Sequence, residues 1–322
     1  MGDPAGIGPE VIVKCFHDRQ APSRRVVVGD ARVLADAAKR FAPGLSVVTV
    51  RDVNEVECKN KTLNVLDLDN VASQMPQGKA SAMGGKAAVA YIEKATGLAL
   101  DGDVDAIVTA PINKEGIHLA GYPFPGHTEF LAKLTGSPDS ALMMVGGKLR
   151  VVLATTHVPL HSVRDLITTE LVLNKIRLTH QWLVKFVDEK PKIAISALNP
   201  HAGEGGIFGD EEKDAITPAI EMARAENIDA DGPWPADSLF ARIGSSDYDA
   251  VIAMYHDQGM VPVKMASMGH AVNITLGLPI IRASVDHGTA YDIVGKGEAD
   301  PGSLMKALET AEQLAKIALA PR

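Results

Sequence analysis

Runs of β-branched and apolar residues alternate with amphipathic stretches a dozen or more residues long, and this alternation constrains the fold most. The apolar runs are RRVVVGD (24–30), LSVVTV (45–50), LNVLDL (63–68), DAIVTA (105–110), LRVVLATTH (149–157), KIAISALN (192–199), DAVIAMY (249–255) and PIIRASV (279–285). Helical patterning covers 9–18, 31–41, 79–101, 165–187, 210–227 and 301–319. Short apolar strands separated by helices predict a largely parallel sheet with helical cover, an α/β fold. With 322 residues the chain has room for one large unit or for two domains sharing a core. GYPFPGHTE (121–129) breaks both helix and strand, and is the expected passage between two lobes.

Composition excludes some functions. Aromatic residues make up 4% of the chain, so Val, Ile, Leu, Ala and Met must pack its core. A net charge of −8 argues against a nucleic-acid or anionic-membrane partner. Cys15 and Cys58 lack C-x-x-C spacing and read as reduced thiols of a cytosolic protein. No signal-like start and no run of 18 apolar residues occurs, so a soluble, cytoplasmic protein is expected.

Three histidines share one context. His157 ends VVLATTH, His201 follows IAISALNPH, and His256 follows VIAMYH, each beyond the carboxyl end of an apolar strand. Taken singly, each is a helix cap or a hydrogen-bonded loop histidine. Open parallel sheets place ligands at that edge, so three of the chain's ten histidines there point to a shared divalent-metal site. Three imidazoles leave open positions for substrate oxygens, as a catalytic site requires. Lys264, Asn273 and Arg282 offer a point charge, an amide and a planar fork suited to a phosphate or carboxylate. In GHTE (126–129), His127 and Thr128 open a helix whose amides favour anions, with Thr128 also a candidate N-cap. DHGTAYDIVGKG (286–297) is a glycine-interrupted loop without G-x-G-x-x-G spacing, a weak cofactor signal by itself. The small residues of ASAMGGKAAVAYIEKATGLAL read as close helix packing.

Together GDPAGIGPE (2–10), TAPINK (109–114), GHTEFLA (126–132), LATTHVPL (153–160), LNPHAGEGG (198–206), YDAVIAMYHDQG (248–259) and VNITLGLPIIRASVDHGTA (272–290) resemble the 4-hydroxythreonine-4-phosphate dehydrogenase family of vitamin B6 biosynthesis, the PdxA family. The resemblance implies an isocitrate/isopropylmalate-dehydrogenase type of α/β fold. Residues 1–120 plus 285–322 would form a first lobe with the cofactor loop, and 121–284 a second with the metal and substrate site. A cleft between the lobes and a homodimer with sites built from both subunits are implied too. By position, His157, His201 and His256 resemble the family's metal ligands, for Zn²⁺, Mg²⁺ or Co²⁺. His127, Thr128, Lys264, Asn273 and Arg282 resemble its contacts to a phosphorylated hydroxy-amino-acid substrate.

The stretch HGTAYDIVGKGEADP is similar to the adenosine-binding loop of β-decarboxylating dehydrogenases, with Gly288, Asp292 and Ile293 as cofactor contacts. An acidic residue at the ribose 2′-OH favours NAD over NADP. The activity implied is NAD- and metal-dependent oxidation and decarboxylation of 4-phosphooxy-L-threonine; the alternative is a 4-phospho-D-threonate or D-erythronate dehydrogenase. Lys114, Asp237 and Asp257 are the candidate general bases. A phosphate acyltransferase would need neither the histidines nor Asp292-Ile293, and a non-catalytic binding protein would not need every proposed ligand. In the family a strand precedes the GDPAGIGPE turn, so Met1 is expected to be an internal methionine of a longer chain.

Overall fold

The computed structural model describes residues 1–18, 23–124, 126–267 and 269–320. The chain forms two compact units, Met1–Pro138 with Leu278–Lys316, and Asp139–Gly277 with Ile317–Arg322. The GYPFPGHTE segment lies inside the first unit, its Pro125 outside the described residues, and the chain changes units at Pro138/Asp139, Gly277/Leu278 and Lys316/Ile317.

The first unit begins with a glycine-rich turn leading into α1 (Gly8–Asp18), followed by β1 (Val26–Gly29), α2 (Ala31–Phe41), β2 (Ser46–Val50) and β3 (Thr62–Asp67). The three strands pair in parallel in the order β1-β3-β2. Asp30 caps α2 by accepting from Val33 N at 3.0 Å, and its other oxygen accepts from Val71 N at 3.1 Å. Next come α3 (Ala82–Leu100), β4 (Ala106–Thr109), α4 (Lys114–Leu119) and α5 (His127–Leu134). Ser81 caps α3, accepting from Gly84 N at 3.1 Å. Its small residues have a specific use: a Cβ on Gly85 would stand 2.0 Å from Gly116 O, so glycine lets α4 lie directly on α3. Val89, Ile92, Ile117, Phe130 and Leu131 fill the space between α3, α4 and α5.

The second unit runs through β5 (Ala141–Gly146), β6 (Leu149–Leu153), α6 (Leu160–Leu166), α7 (Thr169–Phe186), β7 (Lys192–Ser196), α8 (Thr217–Ala225), β8 (Asp229–Trp234), α9 (Ala236–Arg242), β9 (Ala250–Ala253), α10 (His256–Ser267) and β10 (Val272–Leu276). Its strands lie in the order β10-β5-β6-β9-β7-β8. β6, β9, β7 and β8 are mutually parallel, whereas β5 is antiparallel to both β6 and β10. Val151, Leu153, Ala194, Val251 and Ala253 are buried in its core. The single helix expected over 165–187 is two, because Thr168 caps α7 by accepting from Leu171 N at 3.1 Å. The chain then returns to the first unit, where β11 (Ile281–Ser284) pairs in parallel with β4 and α11 (Gly302–Leu319) follows.

Candidate active site

Parallel pairing puts the carboxyl ends of β6, β9 and β7 side by side, and His157, His256 and His201 follow those three ends in that order. The His157 and His256 ring centroids are 5.5 Å apart. Two imidazoles on one tetrahedral ion hold their ring centres about 5 to 6 Å apart, so this pair has the spacing of two ligands. His256 Nδ1 lies 2.7 Å from Asp257 Oδ1. A proton on Nδ1 donated to that carboxylate leaves Nε2 as the ligand atom, which is how histidine ligands are commonly oriented. Asp257, a candidate base by sequence, is therefore engaged with His256.

His201 is held differently. Residues His201, Ala202, Gly203, Glu204 and Gly205 all have positive φ (53°, 53°, 77°, 42° and 67°), a left-handed turn that costs roughly 1–2 kcal/mol per residue bearing a Cβ. The buried Glu212 steadies its entry, accepting from Leu198 N at 2.8 Å and Asn199 N at 2.7 Å. The His201 ring packs beside Phe208, centroids 6.0 Å apart. Among the described residues no three His, Cys, Asp or Glu side chains gather closely enough to hold a metal. One chain thus brings together His157 and His256, and His201 does not complete the group. The pair and its chemistry fit a divalent ion as a partial ligand set.

In the first unit, Arg282 on β11 is 1% exposed and donates to Thr109 Oγ1 on β4 at 2.8 Å. Thr109 in turn donates to Ser284 Oγ at 2.9 Å. Burial pushes the Arg282 pKa down to about 9, partly opposed by Glu129, and the group stays cationic at neutral pH. His127 opens α5, its Nε2 enclosed and without a hydrogen-bond partner. Burial first, and the Arg282 charge second, hold its pKa well below the ordinary histidine value, so the imidazole is neutral. An enclosed, unsatisfied nitrogen beside a buried guanidinium is a place prepared for an anionic ligand. Thr128 is half-buried, but it is not the cap considered from sequence: Gly126 occupies the N-cap without a side-chain bond.

The remaining candidates divide between the units. Lys264 is exposed in the last turn of α10, and Asn273 is half-buried on β10 opposite Met144. Asp237 is exposed in the first turn of α9. Lys114 is the exposed first residue of α4, which Asn113 caps by accepting from Gly116 N at 2.7 Å. In the 286–297 loop, Asp292 is exposed, Ile293 is half-buried, and a Cβ on Gly288 would meet nothing within 4 Å. His287 Nε2 is enclosed without a partner. An open glycine face, an available carboxylate and an unsatisfied imidazole suit a polar nucleotide. Sequence reasoning overlooked Thr109, Ser284 and Glu212, which hold functional groups rather than act themselves. Thr109 opens the TAPINK segment; Glu212 carried no signal.

The fold and the groups at its strand ends define an α/β enzyme. Residues 21–311 match the family described as pyridoxal phosphate biosynthetic protein PdxA. A D-threonate 4-phosphate dehydrogenase from Cupriavidus necator is 48% identical, covering 98% of this chain and 96% of its own length. A 4-hydroxythreonine-4-phosphate dehydrogenase from Beijerinckia indica is 45% identical over 98% and 93%. The crystal structure of the 4-hydroxythreonine-4-phosphate dehydrogenase from Klebsiella pneumoniae superposes with a TM-score of 0.92 at 41% identity, covering 98% and 96%. The chain belongs to the PdxA family, and it is a dehydrogenase.

Proposed function

We propose that the chain oxidises and decarboxylates 4-phosphooxy-L-threonine to 3-amino-2-oxopropyl phosphate, using NAD⁺ and a divalent metal. The observation that carries this reading is that the chain holds two groups of opposite character, one in each unit. One is an imidazole pair at metal-ligand spacing, and the other a buried guanidinium beside an unsatisfied imidazole. Such a substrate has a C3 hydroxyl to be polarised and two anionic ends to be held.

Arg282, His127 and Thr128 would hold one anionic end, with Lys264 and Asn273 as further contacts. His157, His256 and His201 would hold the metal, which supplies polarisation of the C3 oxygen and charge stabilisation during decarboxylation. Bound NAD⁺ would take the C3 hydride, and Asp292 would accept from the adenosine ribose hydroxyl and repel a 2′-phosphate. The C3 hydroxyl proton passes to a base, Lys114 or Asp237, since Asp257 is engaged with His256. The resulting ketone lies β to the carboxylate. Cleavage of the C1–C2 bond releases CO2, and the enol then takes a proton at C2.

Leu160, Ile207 and Met265, three, six and nine residues beyond His157, His201 and His256, are 71%, 74% and 77% exposed. A homodimer covering such side chains, its second copy supplying the third metal ligand, belongs to the same proposal. The Cupriavidus relative favours a second reading, 4-phospho-D-threonate as substrate, with the same oxidation and decarboxylation and a hydroxyl in place of the C2 ammonium.

The test is NADH formation at 340 nm with each substrate, before and after chelation and metal add-back. Metal-dependent turnover of 4-phosphooxy-L-threonine with NAD⁺ is expected. Turnover of phospho-D-threonate alone would replace the first reading with the second, and undiminished activity after chelation would remove the metal from both.

A further inference from the structure

The opening turn, α1 and α2 are all bound to the 287–299 loop. Ile7 N donates to Thr289 O at 3.0 Å. Arg40 donates to Gly295 O at 2.8 Å, and Lys14 Nζ to Gly297 O and Ala299 O, both at 2.8 Å. Glu10 Oε1 accepts from Ala299 N at 3.0 Å. Between the ties at Thr289 and Gly295 lie Asp292 and Ile293, preceded by Ala290 in a left-handed conformation (φ 41°). A residue with a Cβ in that region stays there when its surroundings over-determine it.

Asp3 is the centre of those surroundings. It is 1% exposed; its Oδ1 accepts from Ala5 N at 2.8 Å and lies 2.7 Å from where a Cβ on Gly84 would stand, at the start of α3. Its Oδ2 accepts from the Tyr291 hydroxyl at 2.5 Å. One carboxylate thus fixes its own turn, abuts the amino end of a long helix, and grips the residue directly before Asp292. The Tyr291 ring also packs against the first unit's core, so the phenol is aimed from a fixed base.

We propose that the Tyr291–Asp3 hydrogen bond is a positioning device for cofactor recognition, holding Asp292 and Ile293 in the conformation that meets the nucleotide ribose. This rests on the reading of the loop as the NAD⁺ site. Losing the hydroxyl leaves a carboxylate oxygen enclosed without its donor and releases the loop between its two backbone ties.

The experiment compares wild type with Tyr291→Phe and Asp3→Asn, by steady-state kinetics and by amide hydrogen exchange over 290–295. Tyr291→Phe keeps the ring packing, and is expected to raise KM for NAD⁺ about tenfold while leaving kcat and the KM for the phosphorylated substrate unchanged. Amides 290–295 should exchange faster. Asp3→Asn, which still offers the phenol a hydrogen-bonding partner, should stay within about threefold of wild type. A Tyr291→Phe enzyme with wild-type KM for NAD⁺, or one that loses kcat with KM unchanged, would overturn the positioning role. Wild type that turns over without any nicotinamide nucleotide would overturn the cofactor reading as well. The two failures are distinct, because in the first the wild type still depends on NAD⁺.

Discussion

His127 sits in an environment far from that of a free side chain. It is neutral because burial, and then the Arg282 cation, disfavour its charged form. The unfolded chain takes up that proton near pH 6.5, whereas the folded chain does not. Below that pH the unfolded state binds more protons, so His127 lowers stability as the pH falls, and its penalty is absent above it. The melting temperature of wild type should therefore fall more steeply from pH 7 to pH 5 than that of His127→Asn. Parallel profiles would show that His127 does not titrate in this way. The sequence revealed the residue types at this level: an imidazole at a helix start and an arginine in an apolar strand were both legible. Which atoms they face was not. Asp257 read as a candidate base or a structurally paired carboxylate, and its bond to His256 Nδ1 shows the pairing; Tyr291 gave no signal, because its partner lies 288 residues away.

Elements followed the hydrophobic period closely where they were strongly patterned, and less so elsewhere. α1, α2 and α11 begin and end within a residue of their sequence patterns. β5, β8 and β10 escaped notice for identifiable reasons. ALMMVG lacks β-branched density, DADGPW carries a glycine and a proline tolerable because β8 is at the end of its unit's strand order, and VNITL sat among candidate functional residues. The left-handed turn at His201–Gly205 has no period at all; its conformation is set by Glu212 and tertiary packing. The small-residue helix did read as close packing, and its partner is now known: α4, which starts with Lys114. Gly85→Ala would drive a Cβ into the Gly116 carbonyl, a rigid backbone contact. It should cost about 1–3 kcal/mol, read by urea unfolding, with α4 displaced. If Lys114 is the base, kcat falls too; unchanged stability would mean that α4 moves away without penalty.

At the scale of the whole molecule, the candidate site residues divide between two units. The first carries Arg282, His127 and the 286–297 loop, and the second carries the three histidines. Within one chain, His157 and His256 stand at ligand spacing and His201 does not join them. A homodimer that shares ligands reconciles that geometry with a three-histidine ion, and it makes a prediction that few other arrangements share. His157→Ala and His201→Ala should each be inactive alone. In a mixed dimer, one site inherits both defects, and the other draws intact His157 and His256 from one chain and intact His201 from the other. Random mixing makes half of all dimers mixed, and half of their sites whole, so co-refolded or co-expressed variants should recover about a quarter of wild-type activity if sites act independently. If each site takes all three histidines from one chain, every site in the mixture has a defect and no activity returns. The first result would assign His201 to the opposite copy from His157; the second would require the left-handed turn to rearrange within its own chain.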